Sequence, residues 1–189
     1  SLPCCEKSFD EARSTAFFEN LLPEEDQYQE LCSKARLSPR DIYGFLEHYG
    51  KECAGALVIA SEWEADDPLP NMGYRDVTEE LERGLAENIL QPQTNLISKM
   101  GTRLSIAGAQ NKLPVLWKDN RFFVPEADSF APTNAILKPV APRFPDLHKN
   151  ELFCMKLARA VGLEVPDAAL VSLGDSIAYV VKRYDRVDV

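Results

Sequence analysis

Histidine is nearly missing from this chain: among 189 residues there are only His48 and His148. That scarcity argues against a histidine-centred catalytic site. The five cysteines (Cys4, Cys5, Cys32, Cys53 and Cys154) fall at no metal-ligand spacing, and neither histidine stands near a cysteine pair. Their odd number, with no apolar signal region after Ser1-Leu2-Pro3-Cys4-Cys5-Glu6-Lys7, reads as reduced thiols in the cytoplasm. The longest apolar run, Ala54 to Ala60, is too short to cross a bilayer. Basic residues are also outnumbered, 21 Lys and Arg against 30 Asp and Glu. A net charge of −9 excludes general nucleic-acid binding by the whole chain while leaving room for a local basic pocket. Repeats and low-complexity tracts are absent.

What is present is an ordinary globular composition, 45% hydrophobic and 27% charged, in a chain long enough for one large or two small domains. Residues 8 to 50 read as helical. Ser8 is placed to cap a helix through Ala12, Ala16, Phe17 and Leu21 that ends before Pro23, and a second helix covers Gln27 to Ala35. A third starts with Ser38 as N-cap, Pro39 at the first helical position and Asp41 reaching back, and it ends at Gly50. Ala54 to Ala60 then reads as a buried strand. The acidic, proline-bearing stretch Ser61 to Asn71 is the best boundary, giving a mostly helical subdomain over 1–62 and a second domain over 63–189.

Beyond the boundary, Thr78 opens a helix through Leu81 and Leu85 to about Ile89. Strands follow at Lys112 to Lys118 and Arg121 to Pro125, with Asp119-Asn120 as a two-residue hairpin turn. Next come a strand around Lys138, a helix from Pro145 to Val161, and strands Ala168 to Leu173 and Ile177 to Tyr184. Strands, one helix and then antiparallel strands predict an α+β fold rather than alternating βαβ units.

Three features in this second part carry chemistry. The small-residue segment Arg103 to Lys112, containing Ser105, Ala107 and Gly108, suits a loop that presents backbone N–H groups to phosphates. Lys138 stands in the apolar run Ala135 to Val140. On the 145–161 helix, spacing of 100° per residue lines up Leu147, Cys154, Ala158 and Val161, with Met155 and Leu157 at the edges. Glu151 falls inside that stripe, and a carboxylate is not buried without a partner. Lys138 has the matching problem, so each is expected to satisfy the other, as in the lysine–glutamate pair that holds nucleotide phosphates in kinases. Blander readings stay open: a rim glutamate, an edge-strand lysine that discourages aggregation, and a plain Ala/Gly turn.

The segments Ser105 to Leu113, Ile136 to Pro139, Asn150 to Cys154, Gly162 to Pro166 and Val181 to Arg186 resemble the HipA family of serine/threonine kinase toxins. So do Ala16 to Pro23 upstream and the blocks from Ile42 to Leu57, and the likeness runs through nearly the whole chain in order. The resemblance implies a phosphatidylinositol/protein-kinase-like N-lobe with an antiparallel sheet, preceded by the small helical subdomain. It implies an enzyme that uses ATP and Mg²⁺ to phosphorylate a protein, an aminoacyl-tRNA synthetase in relatives, and that pairs with a DNA-binding antitoxin. It implies ATP-binding roles for Ser105, Ala107, Gly108, Lys138, Lys182, Tyr184 and Asp185, with Glu151 orienting the lysine. Ser105 matches the autophosphorylated serine, whose added charge of nearly −2 would repel nucleotide phosphates. Lys182 to Tyr184 match the segment whose backbone reads adenine, and Asp185 the acid near the ribose; the family usually has an acid where this chain has Lys182. Family members usually begin with further strands and continue into a catalytic loop. No H-x-D-x-x-x-x-N pattern occurs here, so the piece alone is expected to be inactive. A different class of function is a stand-alone binding module that docks on a partner kinase subunit or antitoxin.

Overall fold

The computed structural model describes residues 8–23, 25–50, 57, 59, 72–86, 112–126, 129–140 and 144–186. Two compact units divide them, one within Ser1–Asp67 and one from Pro68 onward.

Among its described residues the first unit contains three helices: α1 (Glu11–Glu19), α2 (Glu25–Ala35) and α3 (Ile42–Tyr49). Two of their starts differ from the sequence expectation. Asp10, not Ser8, caps α1, its carboxylate accepting from the Arg13 amide at 2.8 Å. Asp41, not Ser38, caps α3, with Oδ1 accepting from the Gly44 amide at 2.9 Å. In both places a carboxylate three residues ahead of an unpaired N–H outcompetes a hydroxyl, and Ser38 instead closes the preceding turn, its carbonyl accepting from Asp41 N. A Cβ at residue 44 would collide with the capping carboxylate of Asp41, which explains glycine inside the helix. Tyr28, Leu31 and Cys32 of α2 repeat at helical spacing and are buried, as are Phe45 and Leu46 of α3. The Tyr28 and Phe45 rings meet edge-on at 4.7 Å. The expected strand from Ala54 to Ala60 lies mostly outside the described residues; Leu57 and Ile59 are in irregular backbone.

Among its described residues the second unit is an antiparallel six-stranded sheet with two helices, an α+β arrangement as expected. Its elements are β1 (Tyr74–Asp76), α4 (Thr78–Ala86), β2 (Leu113–Lys118), β3 (Arg121–Pro125), β4 (Ala135–Pro139), α5 (Leu147–Ala160), β5 (Ala168–Leu173) and β6 (Ser176–Lys182). Spatial order is β1-β3-β2-β4-β6-β5. The hairpin between β2 and β3 turns through Asp119 and Asn120, both at positive φ, as their residue types suggested. Gly174, at φ 59°, supplies the corresponding turn into β6. β1, three residues long, gave no sequence signal and pairs with β3 from Tyr74↔Pro125 to Asp76↔Phe123.

Alternation decides what each face of the sheet does. Leu113, Val115, Phe122, Val124, Ala135, Leu137, Ala178 and Val180 form one buried face, closed by Val77 and by Leu81 of α4. Since Leu137 faces that core, its neighbour Lys138 faces the other way. The register pairs Lys138 with Tyr179 of β6, and α5 packs on β5 and β6.

Candidate functional site

The site is built where α5 crosses the outer face of the sheet. Lys138 Nζ donates to Glu151 Oε2 at 2.6 Å, joining β4 to α5. Both side chains are about three-quarters covered, at 23% and 22% exposure. The ammonium also lies 5.5 Å from the centroid of the Tyr179 ring, within cation–π range. Burial, and then the neighbouring Glu151 carboxylate, push the Tyr179 phenol up to about 12. The lysine is thus held from two directions, by a carboxylate on the helix and an aromatic face on the sheet. An ammonium has three donors, and one of them goes to Glu151. That leaves the chemistry of a positioned, partly accessible cation, suited to an anionic oxygen.

The docking face of α5 differs from the stripe expected by counting apolar residues. Leu147, His148, Glu151, Leu152, Met155 and Ala158 are the covered positions, while Cys154 and Val161 are exposed. Phe153, Leu157 and Val161 instead point to solvent. Hydrophobicity did not orient this helix alone. The cation waiting on β4 draws Glu151 inward, because a paired carboxylate avoids the desolvation cost of an isolated one. His148, one turn before Glu151 on the same face, is buried with Nδ1 lacking a hydrogen-bond partner among the described residues.

A second polar centre lies past the end of β6, and the sequence reading missed the residue that organises it. Arg183 is buried, and its guanidinium grips Asp185 with two parallel bonds: Nε to Oδ1 at 2.9 Å and Nη2 to Oδ2 at 2.7 Å. Its Nη1 donates to Thr133 Oγ1 at 3.1 Å, and its backbone amide donates to the Asn134 carbonyl at 2.9 Å. Arg186 adds Nη1 to Oδ2 of the same carboxylate at 3.2 Å. Asn134 in turn pairs its side-chain amide with both backbone groups of Trp117 in β2. Tyr184, between Arg183 and Asp185, is 90% exposed. The Lys182 amide donates to the Asp167 carbonyl at 2.8 Å. The sequence placed Arg183 in the backbone segment matched to adenine reading but gave its side chain no role.

Of the sequence-derived candidates, Lys138 and Glu151 meet, and Lys182, Tyr184 and Asp185 share one short segment. Ser105, Ala107 and Gly108 lie outside the described residues. Among those described, no group of three or more His, Cys, Asp or Glu side chains is gathered to hold a metal ion. No residue here is therefore assigned to Mg²⁺. No helix among them is long and apolar enough to cross a membrane.

Comparison with known proteins decides the family. Residues 104–188 match the family model described as HipA-like C-terminal domain, and residues 1–60 match the HipA N-terminal domain. The chain belongs to the HipA-like kinase family. It is 35% identical over 191 residues to a Sinorhizobium fredii protein named "Putative kinase Y4mE", spanning 98% of this chain and 44% of that one. It is 27% identical over 171 residues to the serine/threonine-protein kinase toxin HipA of Shewanella oneidensis, spanning 90% of this chain and 37% of the toxin. A solved complex of Shewanella oneidensis HipA with HipB and operator DNA superposes at a TM-score of 0.73 and 25% identity, over 94% of this chain and 40% of that one. The HipA-like chain thus spans less than half the length of these relatives.

Proposed function

We propose that this HipA-like chain is the ATP-binding part of a serine/threonine kinase toxin. The observation that carries the reading is the 2.6 Å bond between Lys138 and Glu151, made across the strand and the helix whose misplaced charges suggested the pairing. Lys138 holds the nucleotide phosphates and Glu151 fixes its direction, with residues 63–189 acting as the kinase N-lobe and 1–62 as a helical subdomain. Positioning and charge stabilisation are most of what a protein contributes to phosphoryl transfer, so a prealigned cation is the expected device. The backbone of Lys182 to Tyr184 reads adenine and Asp185 lies near the ribose. The loop with Ser105, Ala107 and Gly108 covers the phosphates, and phosphorylation of Ser105 turns binding off by placing negative charge against them.

In the full-length protein the γ-phosphoryl passes from ATP, with Mg²⁺, to a serine of a target protein such as an aminoacyl-tRNA synthetase. The structural relative was solved with HipB and operator DNA, which supports a DNA-binding antitoxin as partner. The present sequence, without an H-x-D-x-x-x-x-N pattern, binds nucleotide and does not transfer phosphate by itself. The test is titration with a fluorescent ATP analogue. Wild-type chain binds, and Lys138→Met loses at least about tenfold in affinity with its circular dichroism unchanged. Equal affinity in the two proteins removes Lys138 from the site.

A further inference from the structure

We infer that Arg183 is the positioning residue that sets the shape of the adenine-reading segment, and so governs which base is accepted; this rests on the nucleotide-binding reading above. Four observations converge on it. The β4–β6 register ends at Ala135↔Lys182, and the Arg183 amide extends the ladder by one bond to the Asn134 carbonyl. The Arg183 side chain, 3% exposed, turns under the chain and grips the Asp185 carboxylate at two points. Its third nitrogen is fastened to Thr133, itself buried beside Asn134. Asn134, just ahead of β4, is bonded to Trp117, so the fastening reaches into β2.

The consequence is a segment whose two flanks are tied to the sheet while Tyr184 between them stands outward. Base selection by peptide groups depends on where those groups lie, because a donor or acceptor displaced by a fraction of an ångström loses its bond. A planar guanidinium fixes a carboxylate's angle as well as its distance, and a lysine ammonium fixes only distance. Arg183→Lys therefore keeps the charge and removes the geometry. Lys138 acts instead on phosphates, which every nucleoside triphosphate shares. The two residues are separable by base preference.

The experiment measures fluorescent analogues of ATP and GTP against the whole chain, alongside amide hydrogen exchange without nucleotide. Wild type is expected to prefer the ATP analogue. Arg183→Lys and Asp185→Asn should each reduce that preference by about tenfold, the scale of one charge-assisted hydrogen bond. Lys138→Met should weaken both analogues alike and leave the ratio unchanged. Exchange of the amides of residues 183–186 should rise at least about tenfold in Arg183→Lys, with α5 and β5 unaltered. An unchanged base ratio in a variant that still binds, or unchanged exchange at those amides, overturns the role of Arg183. If wild type binds neither analogue, the nucleotide reading fails, and the exchange result alone then judges the fastening.

Discussion

Two ion pairs of the second unit are made from the same kinds of group under different constraints. The Lys138–Glu151 pair is a single contact between side chains nearly a quarter exposed, and its ammonium keeps donors beyond the one given to Glu151. The Arg183–Asp185 pair is a two-point grip with side chains 3% and 17% exposed, and it is fastened further to Thr133 and Arg186. A pair of the first kind is poised to share its cation with an incoming anion. A pair of the second kind is committed to holding the chain. Burial and bond multiplicity, more than charge, separate a group available for binding from one devoted to architecture.

The sharpest way to break this comparison is to remove each cation in turn. Arg183→Met leaves a largely buried carboxylate without its main partner, and unfolding by urea should show a loss of about 3–5 kcal/mol. Lys138→Met should cost less than about 1 kcal/mol in the same measurement, because its pair is partly solvated. Equal losses would erase the distinction. Glu151→Gln should lie closer to Lys138→Met in its effects, lowering affinity for an ATP analogue severalfold with little change in the urea midpoint.

Alkaline pH sharpens the comparison between the two units. Burial first, helped by Cys32 and other neighbours, pushes Tyr28 in the helical unit up to about 12. Burial and Glu151 do the same for Tyr179 in the sheet unit. An unfolded chain ionises these phenols near 10 while the folded chain keeps them neutral. Their contribution is therefore intact below pH 10 and lost as pH rises from 10 towards 12, by at most about 1.4 kcal/mol per pH unit for each. Absorbance titration should show a late-titrating fraction of the six tyrosines that shrinks in Tyr28→Phe and in Tyr179→Phe. The smallest effect belongs to the exposed helical pair Lys34–Glu30, where Lys34→Ala should change stability by about 0.3–0.5 kcal/mol.

The sheet unit was the more legible of the two in sequence. Its strands alternate cleanly, Asp119-Asn120 and Gly174 mark their turns, and every one of β2 to β6 was expected within a few residues. β1 was not, because three residues are too few for a period, and its pairing with β3 depends on distant chain. Helix starts were misplaced at Ser8 and Ser38 because several capping residues competed within a few positions, and only geometry picks Asp10 and Asp41. At the site, the misfit of Glu151 with its helix face pointed to Lys138. The true docking face of α5 did not follow, since Phe153, Leu157 and Val161 face outward against their hydrophobicity. The segment holding Arg183 was marked in sequence, but the fastening of its side chain was not, since Thr133 and Asn134 are some fifty residues away.

The charge of the chain is as unevenly placed as its polar contacts. Residues 1–67 hold the whole net charge of −9, and residues 68–189 balance acid against base. The proposed nucleotide site therefore sits in the half of the sequence that does not, on balance, repel a polyphosphate.

The most direct measurement is of the Lys138 ammonium itself, followed by lysine-selective nitrogen NMR while ATP is added. The account predicts a saturable shift of the Lys138 resonance, other lysines of the sheet unit moving little, and a weakened response in Glu151→Gln. An ATP titration that leaves Lys138 unmoved while nucleotide binds elsewhere would contradict it.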